Sequence, residues 1–442
     1  MMKHIVFVWM FCVALSDAMA QPPSGPGTRT GLEYDIRPFK KNGLFREDDK
    51  VGYDVRLKNS TYTKQRGSMH VDVFDAKGAS VFNQTVSFFT DSRKTFATDL
   101  NLDYAKLTAG FYDVNIIVST NNAADTLRYV FGLDPDKIFT DINKPEDFEE
   151  FWSEARREML RKEPRFRVIS RGNSSTKYVN VYQVEFQSVD DVVVRGWLTI
   201  PKGGSKYPVI YQLPDYYEDQ RPDSNRSDVA VFRLNVRGHG NSADKVYSDY
   251  NTLNTLNLYD RDKYIYKGIY MDCLRGLDFI YKYANQLNLD ADRVVVYGEG
   301  QGGTLAGITC ALDQRPKCCI MVRPVYGDLR GLFEMNQDNP VLPWPVSAFN
   351  DYINSGEGGI NKQRFYENWD FFDPVNFMSN IKCKVLFALP LINSSAPPQT
   401  AFSIYNQLKG DVKEMYVCSG NTMDYVYYAY QNLWIKKVLR LP

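Results

Sequence analysis

The sequence predicts an α/β chain built in two parts: an all-β sandwich, then a doubly wound sheet flanked by helices. Three observations predict it. From about residue 30 to 135, apolar and polar residues alternate in short runs separated by turn residues, which is the period of half-buried strands. From about residue 166 to 442, β-branched runs take turns with helical segments, the pattern of a largely parallel sheet with crossover helices. Within this second part Val294-Val295-Val296-Tyr297 breaks into Gly298-Glu299-Gly300-Gln301-Gly302-Gly303 and then Thr304-Leu305-Ala306-Gly307-Ile308, which reads as strand, tight turn and helix.

A chain of 442 residues is too long for one ordinary core, so two globular units are expected. Its 53 basic and 53 acidic residues cancel, which argues against a nucleic-acid partner, for which a basic face is needed. At the N-terminus, Lys3 precedes an apolar run from Ile5 to Leu15 and the small-residue site Ala18-Met19-Ala20. This predicts a signal peptide over residues 1–20, cleavage near Ala20, and an exported protein that is periplasmic, cell-surface or secreted. The run is too short for a transmembrane span. Cys12 lies inside it rather than in a lipobox. The remaining cysteines, at 273, 310, 318, 319, 383 and 418, match no zinc spacing, so no metal and no cofactor is expected. Their disulfide pairing cannot be deduced from the sequence.

Residues 21–29 read as a Pro/Gly/Thr linker, and residues 30–135 as a sandwich of immunoglobulin-like type. Its strand runs include Val51-Gly-Tyr-Asp-Val-Arg-Leu57, Met69-His-Val-Asp-Val-Phe74, Ser80-Val-Phe-Asn-Gln-Thr-Val86 and Gly110-Phe-Tyr-Asp-Val-Asn-Ile-Ile-Val118, with Asp75-Ala-Lys-Gly78 as a turn. Residues 136–165 connect the two parts. Here Lys144-Pro145-Glu146-Asp147-Phe148 opens a helix whose Phe148, Phe151, Trp152, Ala155 and Met159 share one face. Residues 166–442 form the second unit. Tyr178 to Ile200 is strand-like, Pro208-Val-Ile-Tyr-Gln-Leu213 and Val229-Ala-Val-Phe-Arg-Leu-Asn-Val236 read as buried parallel strands, and Tyr270 to Ala284 as an amphipathic helix.

The second unit resembles the acetyl xylan esterase and cephalosporin-C deacetylase family of α/β-hydrolases. The resemblance runs, in order, through Asp147-Phe-Glu-Glu-Phe-Trp152, Gly196-Trp-Leu-Thr-Ile-Pro201, Leu234-Asn-Val-Arg-Gly-His-Gly240, Tyr266-Lys-Gly-Ile-Tyr-Met-Asp-Cys-Leu-Arg-Gly-Leu-Asp-Phe-Ile280, the glycine turn at 298–303, Phe372-Asp-Pro-Val-Asn376 and Pro397-Pro-Gln-Thr-Ala-Phe-Ser-Ile-Tyr-Asn406. The sandwich lies outside it. The resemblance implies an α/β-hydrolase fold with a Ser-Asp-His triad whose serine stands at the centre of a strand-turn-helix elbow. The serine position is Gly300. Counting back from Pro397-Pro398 puts the aspartate position on Asn393, and the histidine after a glycine near the C-terminus falls on Asn421 in Ser419-Gly-Asn-Thr422. The oxyanion-hole amides would belong to Tyr216 and Gln301, and Pro214-Asp215 stands where the family has His-Gly.

Acyl transfer needs an oxygen nucleophile, a base to take its proton and an anion to orient the base. Gly300 has no side chain, Asn421 takes no proton at neutral pH and Asn393 carries no charge. Substitutes are scarce. After the signal peptide only His70, in a sandwich strand, and His239, in Arg237-Gly-His-Gly240, remain, and His239 reads as a brace for its loop. Glu299 is the only carboxylate on the turn itself, and flanking elbow side chains point away from the centre. Ser394, Ser395 and Ser419 read as turn residues. A carboxylate at Asp215 disfavours an oxyanion beside it. Asp215, Tyr217, Glu299 and His239 are the candidate pocket residues. Tyr216, Trp344, Trp369, Phe371 and Phe372 could add aromatic faces to a sugar. Three readings stay open at this stage: an exported pseudoenzyme that binds a glycan or an envelope protein, an active carbohydrate esterase in which Glu299 or Asp215 activates water, and a structural subunit of an envelope assembly.

Overall fold

A computed structural model describes residues 28–103, 107–204 and 206–441; the expected signal peptide and most of the expected linker lie outside them. The first part is a two-sheet β-sandwich of eight strands: β1 (Leu32–Pro38), β2 (Leu44–Phe45), β3 (Gly52–Asn59), β4 (Gln65–Phe74), β5 (Ser80–Thr90), β6 (Thr95–Asn101), β7 (Gly110–Thr120) and β8 (Ala124–Leu133). One sheet runs β1-β3-β6 and the other β2-β8-β7-β4-β5; only the two-residue β2 pairs in parallel. Alternation does the work predicted of it. Val55 and Leu57 on β3, Met69 and Val71 on β4, and Val114, Ile116 and Val118 on β7 are all wholly buried between the sheets. The turn at residues 75–78 closes with Gly78 N donating to Asp75 O at 2.9 Å, and Gly78 takes the left-handed φ of 82° that a side chain resists.

The second part opens with α1 (Phe148–Arg161), whose buried face is the predicted Phe148, Phe151, Trp152, Ala155 and Met159. There follow β9 (Arg167–Ser170), β10 (Val179–Gln187), β11 (Val193–Pro201), β12 (Tyr207–Leu213), β13 (Ala230–Asn235), α2 (Ile265–Tyr283), β14 (Leu289–Glu299), α3 (Gln301–Leu312), β15 (Cys318–Val322), α4 (Leu329–Met335), α5 (Val346–Ser355), α6 (Lys362–Trp369), β16 (Lys384–Pro390), α7 (Pro398–Gln407), β17 (Lys413–Cys418) and α8 (Tyr425–Leu439). These strands make one sheet in the order β17-β16-β15-β14-β12-β13-β11-β10-β9. It is parallel from β17 to β13 and antiparallel from β13 to β9. Both faces are covered. Val294, Val296, Cys319 and Met321 join the core that includes α2 and α3, while Val295, Ile320 and Leu386 face Trp434 and Ile435 of α8. Each central strand therefore reads as continuously apolar.

The two parts are packed together. The Phe111 ring of β7 lies 5.1 Å from that of Phe402 on α7, and Phe111 N donates to Gln399 Oε1 at 3.2 Å. Asn406 Nδ2 donates to Pro135 O and Ile138 O at 2.9 and 2.8 Å. Phe111, Val130 and Ile138 belong to the same buried apolar cluster as the core beside α2 and α3. Among the described residues no helix is long and apolar enough to cross a membrane.

Candidate functional site

The site lies at the C-terminal ends of the parallel strands, where crevices form in open α/β sheets. β14 ends at Glu299 and α3 begins at Gln301, so Gly300 makes the whole turn, with φ 55° and ψ −123°. That conformation suits glycine and strains other residues. Close backbone approach explains its neighbours: a Cβ on Gly298 would stand 2.2 Å from the Gly302 carbonyl carbon, and one on Gly302 would stand 2.4 Å from Leu213 O.

The space beside Gly300 is filled from β12. Because β12 is the neighbour of β14 in the sheet, the residues after Leu213 emerge next to the turn. A Cβ built on Gly300 would meet Asp215 Oδ1 at 2.1 Å. That oxygen accepts from two main-chain amides, Tyr216 N at 2.7 Å and Gln301 N at 2.9 Å. These are the two amides that the resemblance assigns to the oxyanion hole. Asp215 Oδ2 accepts from Arg323 Nη2 at 2.8 Å. Arg323 follows β15 directly, has φ 41°, and its Nε stands 4.0 Å from Glu299 Oε2. Asp215 N donates to Glu218 Oε2 at 2.8 Å. Burial raises the Glu218 carboxyl above its ordinary range, and the hydrogen bond from Asp215 N opposes this. Glu299 Oε1 accepts from the Tyr297 hydroxyl and lies 3.5 Å from the Tyr428 hydroxyl, so tyrosines hold the one acid on the turn.

Behind the turn, a buried chain of hydrogen bonds fixes Gln301. Its Oε1 accepts from the Tyr266 hydroxyl and its Nε2 donates to His239 Nε2 at 3.0 Å. His239 therefore carries its proton on Nδ1, which donates to Arg237 O at 3.2 Å. Arg237 is itself clamped: Nε and Nη2 each donate to Asp272 at 2.9 Å and Nη1 to Asp190 at 2.7 Å, with Arg237 and Asp272 both buried. Gly268 leaves the room for this guanidinium, because a Cβ there would stand 2.0 Å from Nη1.

Burial pushes the His239 imidazole from 6.5 down to about 4. The unfolded chain then takes up this proton first as pH falls, so the contribution of His239 to stability is complete above about pH 6.5 and is lost on the way down to about pH 4. The span corresponds to roughly 3 kcal/mol. The stability advantage of wild type over His239→Gln, read from urea unfolding, should shrink by that order between about pH 7.5 and about pH 4.5. A gap unchanged by pH contradicts this assignment.

The structure places Asn393 just beyond β16 and Asn421 just beyond β17. Asn393 Oδ1 accepts from Ala396 N at 2.8 Å, capping its own turn. Leu391 N donates to Cys418 O at 2.8 Å and Ile392 N to Gly420 O at 3.0 Å, which ties these two loops together. Gly300, Asn393 and Asn421 thus share the same end of the sheet, with β15 and Arg323 between β14 and β16. His70 is elsewhere, on β4, with Nδ1 2.9 Å from Thr85 Oγ1.

The aromatic wall differs from the one read in the sequence. Trp369, Phe371 and Phe372 are 2%, 4% and 0% exposed, because Phe371 and Phe372 pack on Phe151 of α1 and Trp369 packs between Phe349 of α5 and Phe365 of α6 rather than in a cleft. Tyr216 and Trp344 pack at 4.9 Å, and Tyr250 joins them, 5.1 Å from Tyr216 and 5.7 Å from the Tyr217 ring. Tyr217 has φ 59° and its ring is 43% exposed. A cavity of about 340 Å³ opens beside Trp344, lined also by Thr252, Ser347, Asp351 and Tyr352. Sequence reasoning missed Tyr250 and Arg323. Tyr250 carries no signal beyond its loop, but Arg323 is a charged residue immediately after a fully apolar strand, which marks a strand end next to the elbow. Among the described residues no group of three or more His, Cys, Asp and Glu could hold a metal ion.

Comparison with known proteins matches this architecture. The acetyl xylan esterase (AXE1) family model matches residues 137–439. The acetyl esterase Axe7A of Xylanibacter ruminicola is 27% identical over 331 residues, 70% of this chain and 71% of that protein. The acetyl xylan esterase of Paenibacillus sp. R4 superposes with a TM-score of 0.60 at 26% identity, over 69% of this chain and 98% of its own. Acetyl xylan esterase 1 of Thermoanaerobacterium sp. JW/SL YS485 shares the fold, with a TM-score of 0.60 at 19% identity over 69% and 97% of the two chains. With the family model covering well over half of its length and every helix and strand of the second part, the chain belongs to the acetyl xylan esterase family.

Proposed function

We propose that this protein is an exported member of the family whose scaffold has passed from hydrolysis to binding, either of a glycan or of a protein at the cell envelope. One observation carries the reading: the Asp215 carboxylate occupies the side-chain space of Gly300 and takes both amides that would stabilise an acyl oxyanion. An acyl carbonyl entering this turn meets a carboxylate already neutralised by Arg323 and finds no hydroxyl to attack it. Asn393, used as a turn cap, and Asn421 supply no base or orienting anion. Losing the nucleophile alone costs a triad hydrolase about a million-fold in kcat. What remains open to a ligand is the rim of Tyr217, Tyr250 and Trp344. The sandwich is proposed as a packing module for residues 30–135, and export as following cleavage near Ala20.

The test is turnover of p-nitrophenyl acetate and acetylated xylan by the purified chain. The expected rate is that of buffer. A rate well above buffer that Asp215→Asn or Glu299→Gln abolishes would establish the active-esterase reading instead. Sugar-array binding weakened by Tyr217→Ala supports the glycan form of the proposal, and a stoichiometric partner recovered from envelope extracts supports the protein form.

A further inference from the structure

The sandwich meets the second part at the end where Phe111 lies near the start of β7 and where Lys77, on the turn after β4, reaches Glu334 of α4 at 3.6 Å. β4 spans ten residues, about 30 Å, between that seam and the opposite tip. Two loops build the tip, residues 60–64 between β3 and β4 and residues 91–94 between β5 and β6. Asn59, wholly buried, staples them together: its Nδ2 donates to Thr63 O at 2.7 Å and to Asp91 O at 3.0 Å. Ser92 Oγ donates to Thr61 O at 3.1 Å, and Lys94 N to Asp91 O at 3.1 Å. On this fixed frame two aromatic rings stand in solvent, Tyr62 at 84% exposure and Phe89 at 44%. Cations lie against both. The Arg93 guanidinium is 4.3 Å from the centre of the Tyr62 ring, and Lys64 Nζ and the Arg66 guanidinium are 5.7 and 5.5 Å from that of Phe89. Arg66 and Phe89 are register partners on β4 and β5, so they share a face of the sheet. Arg93 reaches Tyr62 from a left-handed φ of 59°, a conformation that arginine seldom adopts and that gathers at ligand clamps. The charge of the tip is one-sided. Asp91 is answered by Lys64 at 3.2 Å and Glu33 by Lys58 at 2.9 Å, while Arg66, Arg93 and Lys94 stand in no ion pair among the described residues.

We propose that this tip binds a polysaccharide that carries uronic acid residues, as a second site apart from the elbow. A uronic acid presents an apolar C–H face to Tyr62 or Phe89 and, from the same sugar, a carboxylate to the guanidinium beside that ring. Repetition along the polymer lets both rings be engaged at once, so a chain binds where a single sugar does not. The stapled loops lose little freedom when it docks. A neutral glycan would leave the cations unused. A membrane would have to bury the guanidinium groups that lie against the rings, at the cost of their hydration.

The full chain is run in native gels cast with sodium polygalacturonate, with the same polymer after reduction of its carboxyl groups, or with neither. Retardation is expected in polygalacturonate, weakening as salt is raised, and not in the reduced polymer. Tyr62→Ala and Arg66→Ala should each raise the Kd about tenfold and the double variant further, with Tm within about 1 °C of wild type because both side chains are exposed. Free migration of wild type in polygalacturonate, or equal retardation of wild type and the double variant, would overturn the proposal. Binding to dextran sulfate or to phosphatidylglycerol vesicles as strong as to polygalacturonate would also overturn it, since charge alone would then account for the interaction.

Discussion

Gly300→Ser is expected to show no gain in ester hydrolysis and to unfold more readily than wild type, by about 3 kcal/mol or more. Two costs add. A side chain at φ 55° and ψ −123° carries strain of about 1–3 kcal/mol, and forcing a Cβ into the Asp215 carboxylate adds overpacking of similar size. Asp215 cannot step aside freely, since it would leave two amides and the Arg323 guanidinium without their acceptor. Combining Gly300→Ser with Asp215→Gly should recover part of the loss, a coupling of about 1–3 kcal/mol in a double-mutant cycle. Turnover should still be absent from the pair, because Asn421 and Asn393 offer no proton carrier and no orienting anion. It should require Asn421→His and Asn393→Asp as well. A Gly300→Ser protein as stable as wild type, measured by denaturant unfolding, would show that the carboxylate does not fill this space. Esterase activity from that single change would place a working base at the site.

Asp272→Ala should destabilise the fold by about 3–5 kcal/mol, because it leaves a buried guanidinium without its main counter-ion. Arg237 would keep the neutral Val189 carbonyl and, as its one counter-ion, Asp190, whose side chain is 65% exposed and too hydrated to compensate. The effect should reach the site through the Arg237 carbonyl, which orients His239, and so through Gln301. Replacing both partners, as Arg237→Met with Asp272→Leu, should cost clearly less than Asp272→Ala alone, since no charge is then stranded. If the double replacement is as damaging as the single one, the pair matters for shape rather than for charge compensation.

Much of this was legible in the residues. Period two marked β3, β4, β5 and β7. The break from Val294-Val295-Val296-Tyr297 into glycines marked the elbow, and the helical spacing from Phe148 to Met159 gave the buried face of α1. Boundaries and edge elements were harder. β1, β6 and β8 were not singled out, and the two-residue β2 exists only because β8 offers it a partner. Asp215 could be read as hostile to an oxyanion. Its seat in the oxyanion hole could not be read, because that depends on contacts with Gln301 and Arg323, 86 and 108 residues away in sequence. The burial of Trp369, Phe371 and Phe372 was missed for a related reason: aromatic residues near a loop look alike in sequence whether they line a cleft or a core, and only the packing of Trp369 on α5 and of Phe371 and Phe372 on α1 decides.

The seam where Phe111 meets Phe402 also sets where this polypeptide can be divided. α7 lies within the family-matched stretch yet offers its outer side to the sandwich, so a fragment starting near residue 137 would uncover aromatic surface and cost Asn406 its bond to the Pro135 carbonyl. Such a truncation should be sticky in solution. Anyone expressing the matched region by itself should expect aggregates unless the β-rich half travels with it.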